Sequence, residues 1–240
     1  ANIASGGNYN VVVGDEAGND ITTGDLNTLV GYIAGDALTT GYQNIAIGYD
    51  ALGAETLGGD NVAIGTQALS TQNNSTSSTY NVGIGTSAGR FITTGVQNTI
   101  IGGLAGDALT DADYNVALGV GSLGTDTLGS RSTAIGTNAL YAQNFTTATN
   151  SYNTAIGYEA GLSVTTGTSN TFLGALSGDA TTTGSTNTAI GKSALTDNST
   201  GSNNVAVGEN ALANNTTASQ NTAVGQNALL TSTTATNNVA

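Results

Sequence analysis

Carboxylates are the only side chains with acid–base chemistry that this sequence offers in number. It carries sixteen Asp and Glu against three Lys and Arg, with no His and no Cys. A nucleophile needs a neighbouring base, and a general base needs a pKa near the working pH. No Ser–His or Cys–His arrangement can be built, and Lys192 is the one lysine. Paired carboxylates hydrolyse glycosides when they stand about 5–10 Å apart. Asp36, Asp107 and Asp179 share one phase of the repeat described below. Four turns of a β-stack at about 4.8 Å per turn would hold them roughly 19 Å apart, too far for a pair. Asp111 and Asp113 are an acidic cluster within one turn, and they read as a solvated turn. The sequence therefore predicts no catalytic residue and no enzyme.

No cofactor is expected either. Gly18-Asn19-Asp20 and Gly58-Gly59-Asp60 look like pieces of the Gly- and Asp-rich calcium-binding nonapeptide, but that repeat works in tandem and these do not recur so. Calcium is the one metal left open, with no ligand assigned. Thr22, Thr39, Thr56, Thr93, Thr110, Thr127, Thr165, Thr182, Thr216 and Thr233 share a phase. An ice-matching face would present two Thr columns at i and i+2. Here the second Thr is usually adjacent, so it points to the other face. A ladder suited to β geometry is the better reading. Tyr9, Tyr80, Tyr114 and Tyr152 precede an Asn column, where they either pack over the turn or stack on sugars.

The elements that position these residues follow from one repeat. A glycine preceded by a large aliphatic ends each unit, from Gly14 to Gly225, and the step is seventeen residues except at Gly65 to Gly85 and Gly136 to Gly157. An Asn lies four places before each such glycine, Ser132 being the exception. A short strict period is the mark of a solenoid, in which each turn buries its apolar face only against its neighbours. Low hydropathy would suit disorder, but a disordered chain has no reason to hold Ile at one phase.

The expected fold is an all-β parallel β-solenoid, or β-roll, of about thirteen 17-residue coils, assembled as a homotrimeric rod. One continuous domain over 1–240 is expected, a segment of a longer chain, with four-coil blocks at about 10–80, 81–152 and 153–240. Within a coil, Asn44-Ile45-Ala46-Ile47-Gly48 reads as a strand ending at a corner. Glycines at both corners supply left-handed backbone. The Asn column, which tolerates the same region, reads as a stacked turn ladder. Its members include Asn44, Asn61, Asn98 and Asn187, with the corner glycines Gly48, Gly65, Gly102 and Gly191.

Both faces of the strand are apolar, and the second face needs a partner. Leu29, Ile100 and Phe172, where other coils have a smaller residue, are expected to pack between chains or, failing that, in the roll interior. A further superperiod runs through the residue after the Ala or Ser corner: Gly18, Gly35, Leu52 and Leu69, then Gly89, Gly106, Leu123 and Leu140. Two loops, 71–79 and 142–151, break the period. Asn73, Asn74 and Asn144, with Tyr80 and Tyr152, are the expected contacts to a receptor or glycan.

A net charge of −13 argues against nucleic acid and anionic membrane as partners. No run approaches the roughly 20 apolar residues needed to span a bilayer. The main partner expected is the chain itself.

The Asn-x-Ala-Ile-Gly motif at 61–65, 153–157 and 187–191 resembles the head repeat of trimeric autotransporter adhesins of the YadA type, and similar repeats occur in phage tail fibres. The resemblance covers essentially the whole chain. It implies a left-handed parallel β-roll, three chains packed about one axis, and a rod on a cell surface or virion that attaches to host surfaces. The coil here is seventeen residues, longer than the adhesin repeat. A glycan- or ice-binding solenoid module is the alternative.

Overall fold

The computed structural model describes residues 6–75 and 78–240. It is an all-β parallel solenoid of about twelve turns, with no helix among the described residues. The strands are β1 (Val11–Val13), β2 (Thr28–Val30), β3 (Ile45–Ile47), β4 (Val62–Ile64), β5 (Val82–Ile84), β6 (Thr99–Ile101), β7 (Val116–Leu118), β8 (Gly129–Ser130), β9 (Thr133–Ile135), β10 (Thr149–Asn150), β11 (Thr154–Ile156), β12 (Thr171–Leu173), β13 (Thr188–Ile190), β14 (Val205–Val207) and β15 (Thr222–Val224). The chain forms two compact units, Ala1–Ala117 and Leu118–Ala240, whose boundary falls inside β7.

In the first unit β1 to β6 pair in chain order, each parallel to the next. In the second, β9, β11 and then β12 to β15 do the same. Register follows the repeat: Ile45, Ala46 and Ile47 face Val62, Ala63 and Ile64. It survives the long steps, so Val62 meets Val82 across loop 71–79, and Thr133 meets Thr154 across loop 142–151. β8 and β10 form a separate two-stranded ladder at the base of the second loop. Backbone bonds also link the coils outside the strands, as from Thr22 N to Thr39 O at 2.9 Å and from Leu52 N to Ala68 O at 3.0 Å.

The two glycine columns work differently. Gly48 has φ 137°, and a Cβ there would lie 2.5 Å from Gly65 O. Gly41 has no left-handed φ, yet a Cβ on it would lie 2.7 Å from Gly58 O. The expectation that both corners need special backbone is therefore corrected: one needs conformation, and the other needs only close approach of coils. The Asn column is not left-handed either. That conformation falls on the residue before it, as at Gln43 (φ 54°), Asp60 (63°), Gln97 (57°) and Thr186 (58°).

The interior is one side chain wide. The middle strand residue points inward and is fully buried, whether Ala46, Ala63 or Ala189, or the larger Leu29, Ile100 and Phe172. These three do not pack between chains but fill the roll interior, Leu29 beside Gly18 and Gly35 and Phe172 beside Gly161 and Gly178. What varies with them is the residue four places after the corner glycine. It is left-handed in coil after coil, as Gly35 (φ 54°), Leu52 (54°), Gly106 (50°) or Leu195 (57°). Where the strand offers Leu29, Gly35 leaves room. Where it offers Ala46, Leu52 supplies the volume. A left-handed Leu costs about 1–2 kcal/mol, and burying its side chain returns about 1.5–3 kcal/mol, so the strained residue is tolerated.

Candidate functional site

The Asn column is a buried hydrogen-bond ladder. Asn44 N donates to Asn27 Oδ1 at 3.0 Å, and Asn44 Nδ2 donates to Gly58 O at 2.9 Å. Asn61 N then donates to Asn44 Oδ1 at 3.1 Å. Asn98 repeats the pattern with Asn81 Oδ1 at 2.9 Å and Ala112 O at 2.8 Å. Asn187 does so with Asn170 Oδ1 at 2.9 Å and Gly201 O at 2.8 Å. Each residue thus ties three turns together, its backbone N–H bonding to the turn before and its side chain to the turn after.

The Thr column is similarly committed. Thr22 Oγ1 donates to Thr39 O at 3.0 Å, Thr39 Oγ1 to Thr56 O at 3.0 Å, and Thr182 Oγ1 to Ser199 O at 2.9 Å. Its hydroxyls bond the coil beside them.

The acidic residues are spread along the coils and mostly bond to backbone. Asp113 Oδ1 accepts Val96 N at 2.8 Å, and Asp111 accepts the Thr94 hydroxyl. The carboxyls of Asp36, Asp107 and Asp179 are all raised above the ordinary carboxylate range, chiefly by burial. At Asp36 the neighbouring negative charges of Asp50 and Asp20 add to it. Among the described residues no three His, Cys, Asp or Glu gather as a metal-ligand set. In the two glycine-aspartate pieces, Asn19 Nδ2 donates to Asp20 Oδ1 at 3.2 Å, and Gly58 N donates to Glu55 Oε1 at 2.7 Å.

Of the expected surface contacts, Asn73, Asn144, Tyr80 and Tyr152 are exposed. Asn73 Oδ1 accepts the Thr56 hydroxyl at 3.0 Å, and Asn144 Oδ1 accepts the Thr127 hydroxyl at 3.3 Å. Tyr80 and Tyr152 hold left-handed backbone, with φ 52° and 51°. Asn74 is corrected: it is buried and donates to Thr94 O at 2.6 Å, so it anchors the loop. Residues 76 and 77 of loop 71–79 lie outside the described residues.

Sequence reasoning missed two fully buried carboxylates that hold the bases of these loops. Glu55 Oε1 accepts the N–H groups of Thr56, Leu57 and Gly58 at 3.0, 3.1 and 2.7 Å. Its Oε2 accepts Gln72 Nε2 at 3.1 Å and Asn74 N at 3.3 Å. Asp126 accepts Gly129 N at 3.0 Å, Phe145 N at 2.9 Å and Gln143 Nε2 at 2.6 Å. Gln72 and Gln143 in turn accept from Asn81 at 2.9 Å and Asn153 at 2.8 Å, joining each loop to the Asn ladder. Where the third block lacks an extension, Asn198 and Asn215 stand at these phases and bond at 2.9 Å. The signal was present: the phase seven residues after the corner glycine is apolar at Ile21 and Leu38, then polar at Glu55 and Gln72.

It also missed which strand face is outward. The residue before the corner glycine is large and aliphatic in every coil, yet it is half-exposed, as at Ile47 (37 %), Leu173 (44 %) and Ile190 (36 %). Beside this column Tyr32 and Tyr49 stack on adjacent coils, ring centroids 5.9 Å apart. No protein-family model matches this chain, and comparison with curated proteins and with solved structures finds no match either.

Proposed function

We propose that this chain is a structural segment of an extracellular fibre, on a cell surface as a bacterial adhesin or on a virion as a phage tail fibre, giving reach and surface attachment without catalysis. One observation carries the reading: the polar side chains that repeat with the coil are spent on coil-to-coil bonds, as Asn44, Asn98 and Asn187 are. A chain whose periodic polar groups all brace their neighbours is suited to length. The carboxylates support a non-catalytic role, since Asp111, Asp113, Glu55 and Asp126 accept bonds that fix turns and loops.

The fibre is a homotrimer. It needs no cofactor, no nucleic acid and no membrane insertion of this segment. Attachment to a host receptor or glycan falls to the irregular parts, loops 71–79 and 142–151 with Tyr80 and Tyr152, because loops on a rigid scaffold diverge most freely. The YadA-type resemblance of the Asn-x-Ala-Ile-Gly motif points the same way. The test is adhesion of the purified, labelled chain to cells and to an array of neutral glycans. Saturable binding that a loop-deleted chain loses supports the reading, and a chain that binds no surface tested counts against it.

A further inference from the structure

We propose that Asn73 and Asn144, at the heads of the two extended loops, are acceptors for an N-linked sugar. The sequence offers the Asn-x-Ser/Thr acceptor pattern at Asn73, Asn74, Asn144, Asn198, Asn214 and Asn215. The pattern marks an acceptor only where it lies on the surface. In a chain this rich in Asn, Ser and Thr it also arises by chance, so the fold has to choose among these positions.

Burial removes Asn74, Asn198 and Asn215. Their amide nitrogens donate to Thr94 O at 2.6 Å, Gly201 O at 3.0 Å and Asn198 Oδ1 at 2.9 Å. Asn214 is exposed, but the hydroxyl two residues on, Thr216 Oγ1, donates to Thr233 O at 3.2 Å within the Thr ladder. Asn73 and Asn144 differ on both counts. Each is exposed, and each is followed at the second place by an exposed hydroxyl residue, Ser75 or Thr146. They also hold a phase that is Thr or Ser in each remaining coil from Thr22 to Thr233. Thr at this phase gives its side chain to the following coil, as Thr39 does to Thr56 O at 3.0 Å. Asn73 and Asn144 instead accept at Oδ1 from Thr56 and Thr127 of the coil before, at 3.0 and 3.3 Å. Only their backbone N–H groups bond onward, to Thr93 O at 2.9 Å and Thr165 O at 3.0 Å. Among the described residues neither Nδ2 donates to a protein acceptor, so both amide nitrogens are left to solvent.

The reaction is glycosyl transfer from a sugar carried on a nucleotide diphosphate. Nδ2 bonds to the anomeric carbon, and the bond from that carbon to the phosphate oxygen breaks. The nucleotide leaves with the electron pair, and Nδ2 gives up one proton to a base of the transferase. That separate enzyme engages the hydroxyl two residues on, which is why the commitment of Thr216 counts against Asn214. One acceptor stands in each compact unit. In both loops the next residue is pinned by a buried carboxylate, Asn74 N by Glu55 and Phe145 N by Asp126. A bulky sugar on the outward amide therefore displaces no contact between coils. The inference goes beyond surface attachment, and mass alone reads it: a chain that adheres to nothing still carries both sugars.

The test incubates the full folded chain with a purified N-glycosyltransferase specific for Asn-x-Ser/Thr and with nucleotide-linked glucose, then measures the intact mass. The parent should gain two glucose residues. Asn73→Gln and Asn144→Gln should each lose one of them, with the circular dichroism spectrum unchanged. Thr146→Ala should lose the sugar of Asn144, and Thr146→Ser should keep it. The control is the unfolded chain cut by trypsin after Arg90, Arg131 and Lys192, which places Asn73, Asn144 and the Asn198–Asn215 group on separate fragments. Those fragments should take up sugar at Asn198, Asn214 or Asn215 as well. A folded chain that gains no sugar overturns the proposal, whether or not the fragments are modified. A folded chain modified at Asn198, Asn214 or Asn215 as fully as at Asn73 and Asn144 overturns the selection by the fold.

Discussion

Leu29 and Gly35 share one space in the coil interior: a Cβ on Gly35 would lie 2.9 Å from Leu29 Cδ2. The same left-handed position holds Leu52 where the strand supplies Ala46. The four-coil superperiod is thus a packing rule across neighbouring coils: a large strand residue lies against the glycine of its own coil and that of the coil before, as Leu29 does with Gly35 and Gly18 and Phe172 with Gly178 and Gly161, and leucine fills this position in other coils such as that of Ala46. Gly35→Leu should destabilise the chain by about 1–3 kcal/mol through overpacking, and Leu29→Ala by about 2–5 kcal/mol through a cavity. The double variant should recover much of both losses. Additive losses in urea unfolding would contradict the rule.

Asn187→Ala should be among the most damaging substitutions of a polar residue. It strips Asn204 N of its acceptor and takes from Gly201 O one of two side-chain donors, Asn198 Nδ2 being the other. A buried group left unpaired costs about 1–3 kcal/mol, so a loss of about that size is expected. A melting temperature within a degree or two of the parent would show that the ladder contributes little.

Loop 71–79 should not be removable alone. Trimming it to the seventeen-residue step takes Asn74 N from Glu55 and leaves a buried carboxylate with fewer donors. Stability should fall by about 1–3 kcal/mol. Adding Glu55→Asn and Gln72→Asn, which copies the Asn198–Asn215 pair of the third block, should restore most of it. Trimming that is silent without these changes would contradict the anchoring role of Glu55.

The Asp36 carboxyl is raised in the folded chain, first by burial and then by Asp50 and Asp20. The native state therefore keeps this proton to higher pH than the unfolded chain. The protonated group's advantage is full below the unfolded value of about 3.9 and is lost as pH rises through the raised folded value. Asp36→Asn should melt above the parent at pH 7, and the two should converge toward pH 4. A difference that does not change over that range would contradict the assignment.

How much of this was legible in the sequence depended on what the period can encode. The period of Gly48, Gly65 and Gly102 specified a parallel stack and its register, because only in-phase coils bring Ile47 beside Ile64. It could not say which strand face is inside. The uniform Ile column looks like core and is outward, whereas the Ala column is buried, because a coil one side chain wide has little room. The clue was covariation: Leu29, Ile100 and Phe172 change in step with Gly18, Gly35, Gly106 and Gly178, and only residues sharing one interior need to compensate. Glu55 and Asp126 were hidden by type, since a lone acid in a polar sequence reads as solvated until its donors are seen.

Whether this fibre segment is built from copies of the chain is tested most directly by the mass of the particle in solution. One chain is 23.5 kDa, so sedimentation equilibrium at micromolar concentration should give three times that value. A parent that sediments as one chain across the accessible concentration range would contradict it.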